Sequence, residues 1–164
     1  MKAAFAAAFS LAAFASALPA NADERLVAFQ GGIGSQVWAR NNATGAVIQN
    51  DVNGVSPGGR PWVIQDLRAD IRTDGSIKVD GRGLLLAGGG GVGTNGGQSV
   101  HARLFCGGVA HNSGTVPLEA NGDFRIEGVL DPKPSTTTCA TPILLIVSGQ
   151  APNGSWFAAG IPKQ

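Results

Sequence analysis

The stretch VIQDLRADIRTDGSIKVDGRGLLL, residues 63–86, alternates apolar and polar positions on both sides of a Thr-Asp-Gly step. Period-two alternation is the mark of a half-buried strand, and an Asp-Gly between two such runs marks a hairpin. The loop length decides the register. A two-residue Asp-Gly loop would set Arg72 opposite Ile77 and Ile71 opposite Lys78, mixing charged and apolar positions on each face. A three-residue loop, Thr73-Asp74-Gly75, removes every mismatch. It sets Ile71 against Ile77 and Ala69 against Val79 on one face, with Asp70 against Lys78, Arg68 against Asp80 and Asp66 against Arg82 on the other. Gly75 then falls at the left-handed position that this loop requires.

The segment TVPLEANGDFRIEG, residues 115–128, repeats the chemistry. A loop of Ala120-Asn121-Gly122 predicts a second hairpin with Leu118 opposite Phe124 and Val116 opposite Ile126. TDGSIKVDG and ANGDFRIEG share one local design, and the match is too short to make a repeat.

Further strand-like runs rich in Val, Ile, Leu and Phe lie near 26–30, 36–40, 46–49, 99–106, 142–148 and 155–160, with clusters of Gly, Asn, Asp, Pro and Ser between them. After residue 22, no window of helical length keeps a 3.6-residue apolar period without a glycine or proline. The fold class expected is all-β: a single antiparallel β-sandwich of about seven to ten strands, broadly immunoglobulin-like in layout, with a partly open β-barrel as the alternative.

Residues 1–22 have the layout of a secretory signal peptide, with Lys2, an apolar stretch from Ala3 to Phe14 and small residues at Ala15–Ala17 and Ala20–Ala22. Cleavage is expected after Ala22, with Ala17 the competing site. The remaining residues 23–164, about 140, suit one exported domain. The location expected is secreted or periplasmic. The longest later apolar run, Ile143–Val147, is far too short to span a bilayer, so no membrane span is expected.

The chain holds 12 Lys and Arg against 11 Asp and Glu, a balance that gives no basic surface for nucleic acid. Its two cysteines, Cys106 and Cys139, are expected to form one disulfide, in keeping with export. The loop so closed, about 34 residues, makes the bridge worth roughly 3–4 kcal/mol in the chain-entropy picture.

GGGGVGTNGG, residues 88–97, contains a G-x-G-x-x-G match from Gly91 to Gly96. A dinucleotide loop needs a helix behind it to aim N–H groups at the phosphates. Here Val100, Ala102, Leu104 and Cys106 alternate with His101, Arg103 and Phe105, which is a strand. The segment therefore reads as a mobile glycine-rich connection, and no cofactor is expected.

The histidines, His101 and His111, are too few for a catalytic zinc site and lack triad company, so both are expected at surface or turn positions. Asp66, Asp70 and Asp80 are taken up by cross-strand pairs, which leaves Glu119 and Asp123 as a weak candidate cation pair at the base of the second loop. No catalytic residue or metal site is expected. Trp38, Trp62 and Trp156 are expected to be structural, with sugar stacking as the rival role.

One feature suggests a surface. Beyond the ionic pairs, the outer face of the first hairpin continues as Ile64 opposite Leu84 and Trp62 opposite Leu86. Residues 143–147 are likewise apolar on both sides. Either the stretch 26–50 covers these patches or a partner does. The function expected is a non-catalytic interaction or structural module, meeting a protein or a second copy of itself through Trp62, Ile64, Leu84 and Leu86 or through the loop 88–97. The alternative is a carbohydrate- or cation-binding module, with a hydrolase behind both.

Overall fold

The computed structural model describes residues 24–135, 137–149 and 151–163; the expected leader, residues 1–22, lies outside them. The strands are β1 (Arg25–Gly34), β2 (Trp38–Arg40), β3 (Val47–Gln49), β4 (Trp62–Val63), β5 (Asp66–Arg72), β6 (Ser76–Arg82), β7 (Leu85–Leu86), β8 (Ser99–Cys106), β9 (Val109–Asn112), β10 (Val116–Pro117), β11 (Phe124–Val129), β12 (Ile143–Ser148) and β13 (Trp156–Pro162). The described residues form no helix, and every strand ladder is antiparallel. β4 pairs with β7 and β2 with β3 in two small ribbons, while the other nine strands make one sheet in the order β10-β8-β12-β13-β1-β5-β6-β11, with β9 also on β8.

The first hairpin has the three-residue register. Asp66 stands opposite Arg82, Arg68 opposite Asp80, Ala69 opposite Val79, Asp70 opposite Lys78 and Ile71 opposite Ile77. Gly75 takes φ +85° and donates its N–H to the carbonyl of Arg72 at 3.0 Å, and Asp74 accepts the N–H of Ser76 at 2.8 Å. The Ser76 hydroxyl first, and that backbone N–H second, hold the Asp74 carboxyl below its usual range. Inward go Leu67, Ala69, Ile71, Ile77 and Val79, all buried.

The second hairpin is corrected. Its loop forms, with Gly122 at φ +82° donating to the carbonyl of Glu119 at 2.8 Å, but its strands part at once. β10 pairs Val116 with Val100 of β8, and β11 pairs Phe124 with Gly81 and Ile126 with Val79 of β6. The reason is closure. β10 and β11 are the two ends of the eight-strand path, and the Glu119–Asp123 turn joins them across it. Farther along the same seam, Asn112 and Asp131 exchange two backbone hydrogen bonds of 2.8 Å. The sheet is thus curled into a partly open barrel, aided by the irregularity in β1, where Gly31 sits at φ +92°.

One interior cluster runs through β1, β5, β6, β8, β11, β12 and β13, so opposing parts of the curled sheet share a core as sandwich layers do. A second cluster lies outside the barrel wall: Phe105, Leu145, Val147 and Trp156, covered by Val52 and Val55. This explains why 143–147 is apolar on both sides. Leu144 and Ile146 face the interior, while Leu145 and Val147 lie under the 52–57 segment rather than under 26–50.

The outer face of β5 and β6 is ionic, though its pairs are not those of the isolated hairpin. Asp70 meets Arg25 of β1 at 2.6 Å, Lys78 meets Glu127 of β11 at 3.4 Å, and Asp80 meets Arg125 at 3.6 Å. Both hairpin strands have an outside neighbour, and the charged chains reach toward it. Hydrogen bonds from Arg125 and then Lys78 hold the Glu127 carboxyl below its usual range. Such exposed pairs contribute little. Asp70→Asn is expected to lower stability by less than about 1 kcal/mol in urea unfolding; a larger loss would mean the face acts as one network.

Candidate functional site

Trp62, Leu84 and Leu86 do not form a surface. All three are buried in the interior cluster, with Ile64 half-buried against it. The alternation that placed them outward breaks at Gly83, which takes φ +63°, and Leu84 then hydrogen-bonds through its N–H to Gly122. The turned chain continues as β7, paired with β4, so that Trp62 lies opposite Leu86. Trp62 stacks on Phe157 with ring centroids 4.0 Å apart.

The glycine-rich connection closes over them and is tied down. Leu86 exchanges backbone hydrogen bonds with Gly93 and Thr94, Asn95 donates its amide to the carbonyls of Leu118 and Glu119 at 3.1 and 3.0 Å, and Arg60 donates to the carbonyl of Gly90. A Cβ built on Gly96 would lie 3.4 Å from Leu86 and 3.5 Å from Trp62. The segment is a cap over that end of the core, held by bonds a mobile loop would lack. Its glycines permit the close turns, and β8 follows as the alternation requires.

Glu119 and Asp123 face each other only through the backbone, where the N–H of Glu119 donates to the carbonyl of Asp123. The Asp123 carboxylate is engaged by the N–H of Gly83 at 3.0 Å and the amide of Asn121 at 3.0 Å. It braces the turn that leads Leu84 inward. Among the described residues no group of three His, Cys, Asp or Glu could hold a metal ion.

His101 and His111 are buried, which corrects the surface expectation. His101 does point outward from the barrel, as alternation demands, but the β12–β13 turn lies on that face. Its Nδ1 bonds the carbonyl of Gly149 at 2.9 Å, and Arg103 beside it donates to Asn112 at 2.7 Å and to the carbonyl of Pro152. Burial is the main reason that both groups are held below their ordinary proton affinities. His111 bonds the carbonyl of Pro132 through Nδ1 at 2.6 Å.

The exposed tryptophan lies at a place that sequence reasoning did not single out. β2 and β3 pair only with each other, Trp38 opposite Gln49 and Arg40 opposite Val47. Opposed residues share a face of a ribbon, so the Trp38 ring, Val47 and the polar ends of Arg40 and Gln49 lie together. Trp38 is 64% exposed and Val47 63%, whereas Trp62 and Trp156 are buried. The arm is anchored at its base, where Asn50 bonds the backbone of Gln36 and Val37 and accepts from the Trp156 indole at 3.0 Å. Composition separates no tryptophan from the others; the signal was the pair of turn clusters around 41–45 and 50–54, which isolate a short ribbon.

No protein-family model, curated protein or solved structure matches the chain.

Proposed function

We propose that the protein is a non-catalytic, exported interaction module whose contact element is the β2–β3 arm. The observation that carries this reading is the exposure of Trp38 together with Val47 on a ribbon that no other strand covers. A large ring left in water forgoes burial worth roughly 2–3 kcal/mol, and tryptophan anchors are what protein interfaces use most. A disulfide between Cys106 and Cys139 fits an oxidising compartment, which supports export. Trp38→Ser with Val47→Ser is expected to leave the melting temperature unchanged and to abolish capture of a partner from the exported fraction, self-association being followed by light scattering. Equal capture and equal mass for the variant and the parent would remove the arm from consideration.

A second reading has one observation in its favour. The Trp38 ring stands across from Gln49 and beside Arg40, and a planar ring flanked by hydrogen-bonding groups is also what stacks on a sugar. Tryptophan fluorescence that responds to oligosaccharides in the parent protein and not in Trp38→Ser would favour it over a protein partner.

A further inference from the structure

The capped end of the core holds a pocket that neither reading uses. It opens beside the stacked rings of Trp62 and Phe157, and Gly58, Arg60 and Gln98 line it with them. Its volume of about 330 Å³ falls within the range of small-molecule sites, roughly 300–1,000 Å³.

Trp62 is 3% exposed, yet its indole N–H is not sealed in. Among the described residues it has no acceptor, whereas the indole of Trp156 donates to the carbonyl of Asn50 at 3.0 Å. The sealed side-chain atoms left without a partner among those residues are the Ser35 hydroxyl and Nε2 of His101. The Trp62 N–H is not one of them, so it reaches open space. The opening at that edge of the ring is the pocket. A Cβ built on Gly58 would lie 3.0 Å from the Trp62 Nε1 and 2.9 Å from the edge of Phe157, and the glycine leaves both edges uncovered. The far edge of the indole lies toward Gly96 of the cap.

The walls share one electrostatic sign. An aromatic ring is positive at its edge, and the indole N–H adds a donor there. Arg60 spends one of its five N–H groups on the carbonyl of Gly90, and no acidic residue lines the pocket to pair with its charge. Gln98 gives one amide hydrogen to the carbonyl of Gly96 at 3.2 Å and keeps the other. The Ser148 hydroxyl, also in the lining, accepts the N–H of Ser155 at 2.9 Å and keeps its own hydrogen. A cation is repelled from such a lining, and a buried donor gains most from a charged acceptor. Leu86 and the two rings supply apolar contact for a carbon body, which a simple inorganic anion lacks.

We infer that this pocket binds a small organic carboxylate, held by the guanidinium of Arg60 and the indole N–H of Trp62. The guanidinium fork matches a carboxylate, and the ring stacked on Phe157 holds its N–H in place without the ligand. Trp38 takes no part, so the site is independent of the β2–β3 arm.

NMR of the indole N–H groups of the full folded protein tests this. Without any ligand, the Trp62 N–H is expected to exchange with water faster than that of Trp156, and Trp38→Ser removes the cross-peak of the arm. Lactate, benzoate and glucuronate are then titrated at constant ionic strength, each beside its neutral amide. At least one carboxylate should shift the Trp62 cross-peak saturably and leave that of Trp156 in place, and the matching amide should bind about tenfold more weakly or less tightly still. Arg60→Gln should weaken the carboxylate about tenfold or more, with Arg60→Lys retaining part of the affinity, while Trp38→Ser should bind as the parent does. Where an Arg60 variant loosens the cap, the comparison of acid with amide in the parent decides alone. A Trp62 N–H as protected as that of Trp156, no response to any of the three carboxylates, or equal binding of acid and amide would overturn the site.

Discussion

Phe124→Ala is expected to destabilise the protein by about 3–5 kcal/mol, among the largest effects of any single change here. The ring is buried, and its cross-strand partner is Gly81. A Cβ placed on Gly81 would stand 2.1 Å from ring atoms of Phe124, so the aromatic lies flat over the glycine and fills the space a side chain would have taken. Removing it leaves a void that Gly81 cannot fill, at the strand that ends the eight-strand path. The pair also predicts a coupling. Gly81→Val should be strongly destabilising alone, because it collides with the ring, yet should partly restore a protein already carrying Phe124→Ala. Urea unfolding of the four proteins measures this, and simple additivity would show that the two sites do not share that space.

Replacing both Cys106 and Cys139 with serine is expected to cost about 3–4 kcal/mol, chiefly because the unfolded chain regains the freedom of the loop it closes. The Cα atoms stand 5.3 Å apart, a span suited to a bridge. Cys106 is buried at the end of β8 and Cys139 packs against the interior cluster, so the bond fastens the long β11–β12 connection to the barrel. The parent protein should fall to the stability of the double variant when reductant is added, while the variant should not respond. A parent indifferent to reductant would mean that the connection is held by its other contacts, such as the Asn112–Asp131 bridge.

These two expectations differ in how they could be reached. The disulfide was legible from cysteine count and compartment chemistry. The Phe124–Gly81 contact was not, because the hairpin reading of 115–128 sent Phe124 toward Leu118. Both readings used the same loop rule, and the loop itself forms in both places with glycine at positive φ. In the first hairpin the adjacent strands are also each other's best partners. In the second they close a barrel, and each is drawn to a longer strand, β8 or β6. β9 went unnoticed because Val109–Asn112 has little strand character of its own and is a strand by virtue of lying on β8.

The faces tell the same story. Alternation correctly sent His101 and Arg103 outward, and the ionic residues of β5 and β6 to one side. It could not say that the first pair would be buried under the β12–β13 turn while the second stayed wet, nor that Asp70, Lys78 and Asp80 would reach to β1 and β11. Nor could it expose Trp38 and bury Trp62, since both lie in runs of similar composition.

Read alone, the amino-acid sequence determined what depends on neighbours a few positions away: strand rather than helix, the three-residue loop at Thr73–Gly75, the register of β5 on β6, and which side of β5, β6 and β8 each residue takes. Only the tertiary structure decided which strands meet, which outer faces are covered and where an apolar ring is left exposed. Side-chain direction follows from backbone geometry within two residues, whereas burial depends on segments 40 or more positions away, here 52–57 over Trp156 and 149–155 over His101.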